Sequence, residues 1–196
     1  MLQSGILQSS LKIRHATFSD VGTIAALLCK TFYTHGWQAW VSPLFQLGIH
    51  YDLCTRMQNL PRDSYQCWIV ERVPPAGIKP VYPIVGTIEV GLRTLYFPSL
   101  QGKGTHVSDQ VAYISNLAVD VAYRQQGIGQ ALLERCEQQV GDWNHQQVYL
   151  HVKSNNIPAL SLYRKLGYKK NGSDFPLLQR RNQRTLLKKR VLSISA

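Results

Sequence analysis

Acidic residues are scarce in this sequence: Asp and Glu number 11, against 22 Lys and Arg, which gives a formal net charge of +11. Such an excess indicates an acidic partner, for example a polyphosphate, a nucleic acid or an anionic surface. The 4 cysteines have no CxxC or Cys/His spacing. This argues against a metal site and a disulfide framework, and we expect reduced thiols and no metal.

Long apolar runs are also missing, so we expect no transmembrane segment and no membrane partner. The first ten residues, MLQSGILQSS, lack the charged start and apolar stretch of a secretory signal. A chain without a transit peptide would be cytoplasmic. If a transit peptide has been removed, the plastid stroma is the alternative.

The length of 196 residues and an apolar content of 44% fit one globular domain with a real core. We expect a flexible N-terminus over residues 1–10 and a single domain over residues 11–196, with no internal repeat. The basic excess is greatest in residues 169–190, where Asp174 is the one acid. The basic residues of this segment are Lys169, Lys170, Arg180, Arg181, Arg184, Lys188, Lys189 and Arg190.

Hydrophobic periodicity predicts a mixed α/β arrangement in which several strands precede the first long amphipathic helix. We expect the segment from Phe32 to Leu60 to be helical in pieces, interrupted at Pro43 and Gly48, and its aromatic residues Tyr33, Trp37, Trp40 and Tyr51 to lie in the core. Residues 96–109 are predicted to be a long flexible loop. Strands are predicted at 11–16, 66–73, 84–92, 112–119 and 147–152, from 168, and at 186–194, and helices near 21–28, 128–140 and 158–166.

The central feature is a strand, a glycine-containing loop and a helix, in the stretch AYISNLAVDVAYRQQGIGQALLERCEQQVG. Gly127 and Gly129 lack a Cβ and tolerate positive φ, so the backbone can approach a ligand closely. The helix that follows begins with N–H groups that have no partner within the helix, and its dipole favours an anion there. The pattern therefore predicts a site for a pyrophosphate, although a short glycine pattern alone is weak evidence.

Two segments, ISNLAVDVAYRQQGIGQALL and LHVKSNNIPALSLYRKLGY, resemble the two acetyl-CoA-binding motifs of the GNAT N-acetyltransferases. The resemblance implies an α/β GNAT fold: a mixed, mostly antiparallel sheet of about seven strands with about four helices, whose fourth and fifth strands splay apart around the pantetheine arm of acetyl-CoA. The implied cofactor-binding residues are Leu117, Ala118, Val119, Arg124, Gln125, Gln126, Gly127, Ile128, Gly129, Gln130, Asn156 and Tyr163.

The resemblance also implies three catalytic residues. Tyr163 lies where the family places a tyrosine beside the cofactor sulfur, and it would act as general acid. Tyr113 and His151 resemble the catalytic tyrosine and histidine of some protein N-terminal acetyltransferases. An imidazole ordinarily titrates near neutrality, so His151 would accept the proton of the amine, and Tyr113 would orient or deprotonate that amine through a water.

The acceptor is left open by the sequence. The tyrosine-rich peptide clamp of the N-terminal acetyltransferases is missing after Tyr168, and the basic C-terminal stretch looks instead like plastid and cyanobacterial GNAT enzymes that acetylate protein N-termini and lysines. Two alternatives remain: acetylation of a small amine such as an arylalkylamine or polyamine, and a ribosome- or RNA-binding module that uses acetyl-CoA as a sensor. No zinc spacing, RNP motif or helix-turn-helix pattern supports the latter.

Overall fold

The computed structural model of the chain describes residues 11–32, 42–73, 83–98, 105–107, 110–173 and 184–191. The strands are β1 (Leu11–His15), β2 (Tyr65–Arg72), β3 (Ile84–Arg93), β4 (Tyr96–Pro98), β5 (Thr105–Val107), β6 (Val111–Val119), β7 (Gln147–Lys153), β8 (Lys169–Ser173) and β9 (Arg184–Arg190). The α-helices are α1 (Val21–Phe32), α2 (Ser42–Asn59), α3 (Ile128–Asp142) and α4 (Ile157–Lys165).

Seven strands form one mixed sheet in the order β1-β2-β3-β6-β7-β9-β8. Strand β6 pairs parallel with β7, whereas β1 with β2, β7 with β9 and β8 with β9 pair antiparallel. The remaining strands, β4 and β5, form a separate antiparallel pair. The prediction of a loop over residues 96–109 is therefore wrong in part, because two three-residue strands hydrogen-bond to each other there. The predicted fourth and fifth strands are β6 and β7.

The chain divides into two compact units by its contacts. The first contains residues 1–89 and 116–133, and its core joins α1, α2, β2 and the end of β6. Helix α3 approaches β3 closely in this unit, since a Cβ placed on Gly86 would lie 3.0 Å from Ile128 Cγ2 and 3.3 Å from Leu132 Cδ1. Glycine at this position therefore lets the start of α3 pack directly on the strand.

The second unit contains residues 90–115 and 134–196, with the paired strands β7, β9 and β8 and the helix α4. Its buried side chains include Cys136 and Val140 from α3 and Val148, Leu150 and Leu187 from β7 and β9. Along β7, Val148, Leu150 and Val152 are buried on one face, and on the other face Gln147 and Lys153 are exposed, His151 is half-buried and Tyr149 is buried.

Helix α2 differs from the prediction, because it runs unbroken from Ser42 to Asn59. Pro43 lies in its first turn, where the missing N–H has no partner to lose, and Gly48 stays within the helix. Tyr51 is 73% exposed, so the prediction that it lies in the core is wrong. Tyr33, Trp37 and Trp40, which carry the same prediction, lie outside the described residues. Within the described ranges, no helix is both long enough and apolar enough to cross a membrane.

Candidate functional site

In the first unit, the predicted phosphate loop leads directly into α3. The Ala131 N–H donates to the Gly127 carbonyl at 2.9 Å, so Gly127 is the N-cap residue of α3, immediately before its first residue, Ile128. Gly127 has φ +82° and Gln125 has φ +60°. The sequence led us to expect that Gly129 would be the second left-handed residue of the loop. Gly129 lies inside the helix instead, and the second left-handed residue is Gln125. The first turn of α3 contains no acidic residue that would repel an anion.

Asp120 anchors the start of this loop. Its carboxylate accepts hydrogen bonds from the Ala122 N–H at 3.0 Å and from Lys30 Nζ at 2.9 Å, and both bonds lower the pKa of Asp120. Its own N–H donates to the Val85 carbonyl at 2.9 Å. Arg124 Nε donates to the Val119 carbonyl at 3.2 Å, which connects the loop to the end of β6. These hydrogen bonds fix the position of the first residues of the loop.

Strand β6 is bent just before its predicted cofactor-binding residues. Asn116 has φ +53°, a left-handed conformation that asparagine tolerates better than most residues. Its Nδ2 donates to Glu89 Oε1 at 2.5 Å. Leu117, Ala118 and Val119 follow this bend, and Ala118 is buried in the core of the first unit. A side-chain hydrogen bond therefore holds the strand in the bent conformation.

Glu89 is the centre of a network that the sequence analysis missed. It is 0% exposed, accepts a hydrogen bond from Tyr65 Oη at 2.8 Å and pairs with Arg56 NH1 at 2.9 Å. Burial and the Glu89 carboxylate raise the pKa of Tyr65. The available signal was an acid within the apolar run IVGTIEVGL, because a buried carboxylate requires partners that satisfy it.

The second unit brings Tyr113 and His151 together. The Tyr113 hydroxyl lies 2.8 Å from His151 Nδ1, and their ring centroids are 5.8 Å apart. Both side chains are half-buried, and the guanidinium carbon of Arg93 lies 4.9 Å from the centroid of the Tyr113 ring. Parallel pairing of β6 with β7 produces this contact, since Tyr113 is opposite Tyr149 and His151 lies two residues farther along the same face. Arg93 was not predicted.

Tyr163 is buried in α4 of the same unit, with 7% of its surface exposed. Burial and, to a lesser extent, the nearby Tyr113 raise the pKa of Tyr163 to about 12. Its ring contacts Tyr168 edge-on at a centroid distance of 5.6 Å. The phenol is consequently protonated at neutral pH and keeps a hydrogen to donate.

Asn156 caps α4. Its side-chain oxygen accepts a hydrogen bond from the Ala159 N–H at 3.3 Å, and Pro158 follows in the first turn. This local role explains an asparagine before the helix without any ligand. The predicted contact of Asn156 with a cofactor stays a prediction.

Comparison with known proteins bears on this geometry. Residues 30–168 match the profile of a family described as "Acetyltransferase (GNAT) family". The chain belongs to the GNAT acetyltransferase family. Its seven-stranded mixed sheet, with parallel β6 and β7 and four described α-helices, is the GNAT fold, and the predicted fold class is confirmed.

Among similar GNAT proteins, an N-alpha-acetyltransferase from Sulfurisphaera tokodaii is 38% identical over 88 residues, which are 44% of this chain and 48% of that protein. The chloroplastic GCN5-related N-acetyltransferase 10 of Arabidopsis thaliana is 26% identical over 129 residues, 63% of this chain and 47% of that protein. The chain spans about half the length of the curated relatives it matches.

A solved GNAT structure, Arabidopsis thaliana NAA60 in complex with a bisubstrate analogue, superposes with a TM-score of 0.62 at 20% identity. The match covers 94% of this chain and 99% of that chain. At this identity the likeness shows the fold alone. The predicted roles of the GNAT site residues stay predictions, with the loop residues placed in the first unit and Tyr113, His151 and Tyr163 in the second.

Proposed function

We propose that this GNAT protein transfers the acetyl group of acetyl-CoA to the α-amine of a protein N-terminus. The observation that carries the proposal is the 2.8 Å contact between Tyr113 Oη and His151 Nδ1, which places two proton-transfer groups together on one half-buried face of the second unit. Relatives that bear the name N-alpha-acetyltransferase support the choice of acceptor. A lysine ε-amine is the other acceptor to be tested.

The phosphate loop fits the diphosphate of acetyl-CoA. The loop residues Gln125, Gln126 and Gly127 are exposed, two of them are left-handed, and a helix without an acid in its first turn follows. In this proposal the amides from Gln125 to Gln130 hold the diphosphate, and the backbone of Leu117 and Val119 holds the pantetheine arm. Bound acetyl-CoA supplies the thioester carbonyl that the amine attacks.

On the acceptor side, an ammonium has no lone pair, so the amine must lose a proton before it attacks. His151 accepts that proton, either directly or through Tyr113. The nitrogen lone pair then forms the bond to the carbonyl carbon, the carbon–sulfur bond breaks with its electron pair on sulfur, and the nitrogen releases its second proton to solvent to give the neutral amide. The pair thus serves as the base of the reaction.

On the leaving-group side, Tyr163 donates a hydrogen bond to the departing sulfur. Its pKa of about 12 exceeds the ordinary value of a thiol, about 8.5, so complete proton transfer from the phenol to the thiolate is unfavourable. Tyr163 therefore stabilises the developing charge, and solvent supplies the proton. This refines the general-acid role that the resemblance implies.

The chloroplastic relative supports a plastid setting for the protein. We also propose that residues 11–196 form a single GNAT domain.

The test incubates the full chain with acetyl-CoA and three acceptors: a peptide with a free N-terminus and blocked lysines, the converse peptide, and spermidine. Mass spectrometry is expected to find acetyl on the free N-terminus. Replacing His151 with Gln should lower kcat/KM by about 10²–10⁴-fold and remove the near-neutral limb of the pH–rate profile, whereas His145→Gln in the turn before β7 should not. Transfer to spermidine alone, or to no acceptor, would refute the proposal.

A further inference from the structure

The strand register of the second unit sorts its basic residues onto two faces. Residues directly opposite each other on paired strands share a face, and side chains alternate along each strand. In the β7–β9 pair, His151 is opposite Leu186, Tyr149 opposite Lys188 and Gln147 opposite Arg190. Lys169 of β8 is opposite Lys188. The face that holds His151 therefore also holds the basic residues Lys153, Lys169, Arg184, Lys188 and Arg190, and we call it the basic face.

The opposite face of these strands is covered by α3. Lys189 points to that side, and its Nζ bonds Glu137 Oε2 of α3 at 2.6 Å. The carboxylates in the described part of the second unit are Glu134, Glu137 and Asp142, and all three lie on α3. The basic face thus has no described carboxylate of its own, while Lys153, Lys169 and Arg190 are exposed.

One contact on the basic face is unfavourable in the isolated chain. Lys169 and Lys188 stand directly opposite each other on β8 and β9, and like charges in this position destabilise a sheet. Lys170, the next residue of β8, is opposite the buried Leu187 and therefore lies on the other face. A pair of facing lysines without a described acid between them is the arrangement expected where an external anion supplies the compensating charge.

We propose that the basic face binds the acceptor through carboxylates, so that the preferred substrates are protein N-termini with Asp or Glu at positions two to four. The inference rests on the proposed function. Lys153 and its partner Arg184 lie two residues from His151 in one direction along the strands, about 7 Å away, and Lys188 and Lys169 lie level with Tyr149, two residues in the other direction. An extended acceptor also advances about 3.3 Å per residue. With its amine at the Tyr113–His151 pair, an acceptor that runs in either direction therefore brings its second to fourth side chains to one of these two basic pairs.

The cationic surroundings also act on the amine itself. Positive charges nearby disfavour an ammonium and so favour the neutral amine that attacks the thioester. Carboxylates farther along the acceptor offset the repulsion that a cationic N-terminus would otherwise meet. The same charges thus select an acidic acceptor and prepare its amine.

The test measures binding of two labelled peptides with free N-termini, one with Asp or Glu and one with Lys at positions two to four, to the full chain in the presence of coenzyme A. At low salt the acidic peptide should bind about tenfold more tightly, and the difference should shrink at high salt. The double variant Lys153→Glu/Lys169→Glu should abolish the preference. The matched control Lys170→Glu, an exposed lysine on the other face, should keep it.

Equal affinities for the two peptides, or equal losses in the double variant and in Lys170→Glu, would overturn the inference. A single-stranded RNA that binds through Lys153 and Lys169 while the acidic peptide does not bind would overturn it in favour of a nucleic acid partner. Acetyl transfer to a neutral peptide is assayed separately. Transfer without an acidic preference removes the inference alone, and acidic binding without any transfer removes the proposed function alone.

Discussion

The buried carboxylates of the first unit each have an arginine beside them, whereas lysines of the second unit face each other across two strands. Asp20 and Glu71 both bond Arg14 at 2.7 Å, and Glu89 bonds Arg56 at 2.9 Å. Lys169 and Lys188 stand opposite each other with no described acid on their face. Paired charges thus stabilise the fold of the first unit, whereas the facing lysines of the second unit have no described acid that would compensate them, which is why we propose an external anion there.

Removal of Glu89 should cause the largest loss of stability. In Glu89→Ala, Arg56 keeps Asp52, but Tyr65 and Asn116 lose a buried acceptor and the cavity stays unfilled. We expect the free energy of unfolding to fall by about 3 kcal/mol, measured by urea denaturation. Glu89→Gln, which keeps one acceptor oxygen, should lose less. A stability equal to that of the unmodified chain would show that this network is not structural.

The Asp20 pair should make the protein acid-sensitive. The Arg14 hydrogen bond lowers the pKa of Asp20 from 3.8 to about 2. Because the pKa is depressed in the folded chain, this stabilisation is present above the unfolded pKa and is lost as the pH falls from about 4 to about 2. We expect the loss to be about 2 kcal/mol, and Asp20→Asn should remove that part of the pH dependence of unfolding.

A substitution at Gly127 should act through backbone strain and not through the loss of a buried contact. A Cβ at this position meets no atom within 4 Å, so the effect of a side chain comes from its φ of +82°. Gly127→Val should lower the free energy of unfolding by about 1–2 kcal/mol and weaken acetyl-CoA binding more than tenfold in calorimetry. Unchanged affinity for acetyl-CoA would contradict the proposed role of the loop.

Replacing one of the facing lysines should have the smallest effect on stability, and it should stabilise the protein instead of destabilising it. Lys169→Gln removes the repulsion with Lys188, so the free energy of unfolding should rise by about 0.2–1 kcal/mol, most clearly at low salt. Lys170→Gln is the matched control and should change stability less. A destabilised Lys169→Gln variant would mean that this lysine has a compensating partner in the folded chain.

Much of the secondary structure was predictable because its signals are local. The strands at β2, β3, β6 and β7 and the helix α3 follow from alternation and from helical periodicity. The unbroken helix α2 was not predicted, since tertiary contacts of Leu53 with the core outweigh the weak helix propensity of Gly48. The short β4–β5 pair was also missed, because its strands are too short for a periodic signal.

The candidate site was likewise predictable only where its residues are close together in the sequence. The phosphate loop occupies a few consecutive residues, so its glycine and the helix after it are visible in the sequence. Tyr113 was selected through the family resemblance, and His151 through its side-chain chemistry, its position in a strand and the same resemblance. Their contact was not predictable, because nothing local connects residues 38 positions apart. The partners of Glu89 come from α2, β2 and β6, and no pattern in the chain relates them.

The sequence by itself determined the periodic elements, the glycine turn ahead of α3 and the net positive charge, all of which depend on composition or on neighbours within a few residues. Only the tertiary structure decided which residues of β8 and β9 share a face with His151, which arginine neutralises Glu89 and how Asn116 bends β6. Strand register and the packing of distant elements set these contacts. A change of one residue in the register of β9 against β7 would move Lys188 to the face away from His151.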